Sequence, residues 1–179
     1  MSIESDLDLA GMREAGRVTT ETLDALEAHV AAGVTTGDLD AVAAAVLRKN
    51  DARSAPALVY GFPGTVLISV NDEIVHGIPG KRRLLEGDLV SLDVTIEKDG
   101  FVADAARTVI VGAGSKTARA LVDAANGSLR NALTVARGGV QGVHLVGPGP
   151  DPLPGLECAP LKPADTPLRR ALAGRRLDA

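Results

Sequence analysis

The sequence predicts an α+β domain with helices on one face of a largely antiparallel sheet. Three observations carry that prediction. Two runs in the first fifty residues place apolar side chains at helical spacing. From Ala55 the texture changes to short apolar runs broken by Gly, Pro, Asn and Asp, and one such pair of runs alternates strictly about Asp99-Gly100.

Leu7 to about His29 reads as a helix, with Leu9, Met12, Ala15, Val18, Leu23 and Leu26 interleaved with charged residues. Ala31-Ala32-Gly33-Val34 ends it. Thr35 or Thr36 caps the next helix, and Asp38 and Asp40 in its first turn suit its dipole. Leu39, Val42, Ala43, Val46 and Leu47 form an apolar stripe expected to pack on the sheet, and Asn50-Asp51 closes the helix. Short strands are expected at Ala57–Tyr60 and Val66–Val70, with turns at Gly61–Gly64 and Asn71–Glu73. His76 then falls between a short apolar strand, Ile74-Val75, and a Gly-Ile-Pro turn. A lone histidine beside a strand is ordinarily structural, but at a strand end next to turn chemistry a functional role competes.

The central hairpin runs from Asp88 through Glu97, turns at Lys98-Asp99-Gly100, and returns through Phe101 to Val111. Val90, Leu92, Val94 and Ile96 share one face, and Leu89, Ser91, Asp93 and Thr95 the other. Asp-Gly suits a type I′ turn, whose two central residues both need positive φ. With that turn Lys98 faces Phe101, Thr95 faces Asp104 and Asp93 faces Ala106. Asp93 and Asp104 then become diagonal neighbours on one face, with backbones on the order of 7–8 Å apart. Two such anions call for a cation. A three-residue turn would instead shift the register by one and separate them. The structural alternative treats both as ordinary surface aspartates, although strands disfavour Asp and an unpaired buried carboxylate costs several kcal/mol.

Gly112-Ala113-Gly114 ends the hairpin, and Ser115 is placed to cap a helix through Ala118, Leu121, Leu129 and Ala136, weakened by Asn126-Gly127. After Gly138 the composition changes again: seven of the ten prolines lie there, from Pro148 to Pro167. Residues 1–137 are therefore read as one folded unit and 138–179 as a Pro/Gly-rich, irregular or disordered tail with at most a short basic helix at Thr166–Arg176.

Composition bounds the function. A chain of 179 residues with 45% apolar and 23% charged content is that of a globular protein. A formal charge of −4 argues against general nucleic-acid binding, and Lys81-Arg82-Arg83 reads as a solvated loop. One cysteine, Cys158, excludes an internal disulfide and fits a reducing compartment. With neither a signal peptide nor a membrane-length apolar run, the expected location is cytoplasmic, away from membranes.

The residues in turn resemble a family. Met12–Gly16, Gly33-Val-Thr-Thr-Gly-Asp-Leu-Asp40, Gly61-Phe-Pro63, Ser69-Val-Asn-Asp-Glu73, His76-Gly-Ile-Pro79, Gly87-Asp88, Leu92-Asp93-Val94 and Asp99 through Asp104 to Thr108 resemble the type I methionine aminopeptidases in order and spacing. The resemblance covers roughly residues 8 to 137. It implies the N-terminal half of the pita-bread fold, whose two pseudo-symmetric halves enclose two divalent metal ions. It implies Asp93 as a bidentate metal ligand, Asp104 as the bridging ligand, His76 as a catalytic and substrate-contacting residue, and Phe62 as a wall of the methionine pocket. Mn, Co, Fe, Zn and Mg all suit carboxylate-rich sites. The implied partner is the N-terminal Met of nascent peptides.

Departures accompany the resemblance. Ala103, Ala105 and Ala106 stand where the family commonly has Gly, Thr and Ser or Ala, so small polar partners of Asp104 are expected to be missing. The family completes its site downstream with a histidine and two glutamates, whereas beyond Asp104 this chain has only His144 and Glu157, neither in a matching context. The abrupt bias after Gly139 is what a reading-frame shift in a GC-rich gene would produce. The expectation is therefore a truncated methionine aminopeptidase of impaired activity, its exposed half-fold face open to self-association. The alternative is a non-catalytic binding module derived from the same half-fold.

Overall fold

The structure, a computed structural model, describes residues 3–137. His144, Glu157, Cys158 and the expected basic helix at Thr166–Arg176 lie outside the described residues. Of the described residues, those up to Asn126 form one compact unit.

Helix α1 spans Asp6–His29, capped by the Ser5 side chain, which accepts from the Asp8 N–H. Helix α2 spans Thr36–Lys49 and opens with a capping box, in which Thr35 and Asp38 each accept the other's backbone N–H. A short strand β1 (Arg53–Ser54), a one-and-a-half-turn helix α3 (Ala55–Tyr60) and strand β2 (Leu67–Val70) follow. Strands β3 (Leu89–Lys98) and β4 (Phe101–Ile110) form the hairpin, and helix α4 (Lys116–Val135) comes last. The Ala118 N–H donates to Ser115 Oγ at 3.0 Å, which is the expected cap.

All described strand pairings are antiparallel. β4 runs along one edge of β3 for its whole length, so β1 and β2 share the other edge, β1 opposite Ile96-Glu97 and β2 opposite Val90–Asp93. The hairpin turn has two residues, with φ of +51° at Asp99 and +87° at Gly100. The register follows as predicted: Lys98 pairs with Phe101, Thr95 with Asp104 and Asp93 with Ala106. One face of β3 (Val90, Leu92, Val94, Ile96) is fully buried and forms the core with Ala15, Val18 and Leu26 of α1. Phe101 packs over Gly11 of α1, where any Cβ would strike its ring. Arg107, on this same face of β4, pairs with Asp24 and Glu27 of α1.

Four expectations are corrected. Ala57–Tyr60 is helix, not strand: Ser54 caps it, Pro56 sits in its first turn where proline's fixed φ suits a helix, and Gly61 ends it in the left-handed conformation. Four apolar residues in a row carry no periodicity that separates the two. Ile74-Val75 is irregular rather than strand, and its side chains are exposed. The α2 stripe (Leu39, Ala43, Leu47) is buried, but α2 leans on α1 and β1 rather than across the sheet. Asp40 lies beyond the first turn and serves a different purpose, described below.

The β2–β3 connection is held by one polar knot. Asn71 donates through Nδ2 to Asp88 Oδ1 at 2.8 Å, its Oδ1 accepts the Leu89 N–H at 2.9 Å, and Asp88 Oδ2 accepts the Leu85 N–H at 2.8 Å. The Leu85 N–H and then Asn71 hold the buried Asp88 carboxyl below the usual carboxylate range. A depressed folded value means that the unfolded chain binds the proton more tightly. This stabilisation is therefore present above about pH 4, the unfolded Asp value, and lost as pH falls through the folded one. Urea unfolding between pH 3 and pH 7 is expected to show this dependence, and Asp88→Asn is expected to flatten it.

Candidate functional site

The face of the hairpin turned away from α1 carries both aspartates. Asp93 of β3 and Asp104 of β4 project there as diagonal neighbours, because each is paired with the residue two positions from the other. Arg107, three residues after Asp104, is on the opposite face by strand alternation and spends its charge on α1. Among the described residues no lysine or arginine pairs with Asp93 or Asp104.

The electrostatics register the crowding. Burial pushes the Asp93 carboxyl up, the negative charge of Asp104 pushes it further, and His76 partly offsets the rise. Tyr60 feels the same field: burial raises its hydroxyl first, then Asp93 and Asp104. Asp93, Asp104, His76 and Tyr60 therefore form one electrostatic neighbourhood although they come from four segments.

His76 has φ +60°, a left-handed backbone that a non-glycine residue adopts only when its surroundings hold it. Three contacts do so. The Gly77 N–H donates to the buried Ser69 Oγ at 3.1 Å, and the Ile68 N–H donates to the Gly77 carbonyl at 3.0 Å. A side chain at position 77 would collide with the Ile68 carbonyl, so only glycine lets this segment lie along β2. The third is the imidazole ring, which stacks on Tyr60 with centroids 6.3 Å apart and planes 18° from parallel.

Phe62 is half-buried and meets Tyr60 edge-on, centroids again 6.3 Å apart at 70°. Tyr60 is thus the residue on which Phe62 and His76 both rest. Sequence reasoning placed it in a strand and gave it no role. The available signal was scarcity: two of the chain's three aromatic residues, Tyr60 and Phe62, flank one glycine.

The pair Asp93–Asp104 has the donor chemistry that a hard divalent cation takes: two carboxylates placed diagonally on one face, with no lysine or arginine paired to them among the described residues. It is not a complete site. Among the described residues no group of three or more His, Cys, Asp or Glu side chains gathers as a metal cage.

Comparison with known proteins gives this arrangement a class. Residues 10–146 match the model of metallopeptidase family M24, and the chain belongs to that family. Among its relatives, methionine aminopeptidase 2 of Bacillus subtilis is 35% identical over 140 residues, which are 78% of this chain and 56% of that protein. The methionine aminopeptidase of Clostridium perfringens is 42% identical over 119 residues, 66% of this chain and 47% of the relative. The crystal structure of methionine aminopeptidase from Rickettsia prowazekii superposes with a TM-score of 0.69 at 32% identity, covering 74% of this chain and 53% of that one. The architecture is accordingly α+β, half of a pita-bread fold. The chain spans about half the length of the curated relatives it matches.

In metal-free protein the two aspartates repel, and like charges across a strand pair destabilise by roughly 0.2–1 kcal/mol. Asp104→Asn is therefore expected to raise stability at pH 7 by an amount of that order. The gain should fade as pH falls and Asp93 takes up its proton. Denaturant melts at pH 7 and pH 4 without metal check both points.

Proposed function

We propose that this chain carries one half of a metal-dependent aminopeptidase site that acts on the N-terminal methionine of peptides. The observation that carries the reading is the convergence of Asp93 and Asp104 on the same side of the sheet as the Tyr60, Phe62 and His76 cluster. In this reading Asp93 and Asp104 hold the divalent ions of the site. Bound there, such ions lower the pKa of water and polarise a scissile carbonyl.

The rest is work for side chains of this chain. Phe62, backed by Tyr60, offers an apolar wall for an unbranched thioether, a side chain that makes favourable contacts with aromatic rings. His76, exposed and set beside the Tyr60 ring, offers an imidazole nitrogen to the peptide amide. The carboxylate face attracts the free α-ammonium of a peptide.

Two carboxylates leave most of a metal's coordination positions open. Turnover in this reading therefore draws donors from outside the described residues or from another chain. The exposed apolar residues Val59, Ile74, Val75 and Ile78 give such association a surface, and self-association belongs to the same proposal. A cytoplasmic setting, where nascent chains are met, goes with it; among the described residues no helix is long and apolar enough to cross a membrane.

Isothermal titration of Mn or Co, combined with hydrolysis of a Met-Ala-Ser peptide, tests the reading. Metal binding that is abolished by Asp93→Asn or Asp104→Asn, with turnover reduced about 100-fold in His76→Ala, is the expected result. Peptide binding without metal or turnover would favour the alternative, a non-catalytic binding module. The absence of a third donor among the described residues is the observation behind that alternative.

A further inference from the structure

The two loops that carry the aromatic cluster hang on one short stretch of α2. Thr36, buried, accepts the Gly80 N–H through Oγ1 at 2.9 Å, and its own N–H donates to the Arg82 carbonyl at 3.0 Å. The Gly37 N–H donates to the Gly80 carbonyl at 2.8 Å. One turn later Asp40 Oδ1 accepts the N–H groups of Thr65 at 2.6 Å and Val66 at 3.0 Å. The first set of bonds ends the loop bearing His76, and the second ends the loop bearing Phe62. The loops also touch: a Cβ on Gly64 would lie 2.9 Å from Pro79 Cδ and 3.1 Å from the Phe62 ring.

We propose that Thr36 and Asp40 are positioning residues, a bracket on α2 that sets how Phe62 and His76 meet across Tyr60 without touching the ligand themselves. A left-handed histidine costs on the order of 1–3 kcal/mol and persists only while its surroundings over-determine it. The Ile68 and Ser69 contacts pin one end of the His76 segment, and Thr36 pins the other. Two N–H groups on one carboxylate are charge-assisted and stronger than neutral bonds, so Asp40 is the stiffest tie of the Phe62 loop. No buried apolar side chain substitutes for the Thr36 tie, because residues 72–80 include none.

The proposal rests on the reading of Phe62 and His76 as ligand contacts, but its test does not need ligand. The chain has three histidines and two phenylalanines, so ¹³C-histidine and ¹⁹F-phenylalanine spectra give assignable lines for His76 and Phe62, with Phe101 as internal control. Tyr60→Leu measures how much of the His76 shift comes from the stack. Thr36→Val is expected to remove at least half of that shift. Asp40→Ala is expected to move the Phe62 line and leave Phe101 in place. Thr36→Ser and Asp40→Asn, which keep the acceptor oxygens, should retain the wild-type spectra.

Folded Thr36→Val and Asp40→Ala with His76 and Phe62 lines unchanged would overturn the proposal. Should either not fold, Asp40→Glu decides, since it moves the carboxylate by one methylene: a shifted Phe62 line supports the bracket and an unmoved one overturns it. L-methionine is then added to the same samples, with binding expected to weaken about 10-fold or more in Thr36→Val. A wild-type chain that ignores methionine would defeat the functional reading while the unliganded spectra still judge the bracket.

Discussion

The structure depends first on a register. Because Asp99 and Gly100 both take positive φ, β3 and β4 are joined by two residues and no more, and every side chain on the hairpin is assigned to a face. A slip of one residue would carry Val90, Leu92, Val94 and Ile96 out of the core and put Asp93 and Asp104 on opposite sides. The buried face opposes that slip with four fully buried branched side chains, each contributing roughly 1.5–3 kcal/mol on burial. The core therefore holds the two aspartates together even though their mutual repulsion opposes it. Hydrophobic burial wins because it acts over the whole strand, whereas the repulsion acts at one point partly open to solvent.

Much of what makes the sequence recognisable is architecture rather than chemistry. Asn71 and Asp88 tie β2 to β3, Thr35 and Asp38 cap α2, and Glu73 accepts the Val70 N–H while pairing with Arg82. Gly77 is required by a close approach of backbone to backbone, and Gly11 by the Phe101 ring. Each is a short-range polar or steric requirement at one point of the fold. Together they set where the connecting segments run, so the residues that would touch a ligand are few and those that place them are many.

The same physics explains why the site looks unfinished. Like charges on one side of a sheet, with no lysine or arginine paired to them among the described residues, leave the charge of Asp93 and Asp104 uncompensated. Exposed Val59, Ile74, Val75 and Ile78 represent apolar surface with nothing against it among the described residues. Both features accompany a chain that spans about half the length of its relatives.

Local sequence pattern alone sufficed for helices α1 and α2, for the α2 cap to within Thr35 or Thr36, for the hairpin and its register, and for the shared face of Asp93 and Asp104. These are local properties: helical period, strand alternation and a turn that only certain residues allow. What it misjudged or left unread was non-local. Ala57–Tyr60 looked like a strand because four apolar residues have no period, and only the Ser54 cap, Pro56 and Gly61 acting together make it a helix. Asp40 looked like a helix-dipole residue until the Thr65 and Val66 amides were seen to converge on it from another loop. Tyr60 acquired its place between Phe62 and His76 in the same way, through contacts spanning loops of different length. Tertiary structure decided these cases because each depends on where distant backbone amides and rings arrive in space, and the spacing of residues along a chain does not encode that.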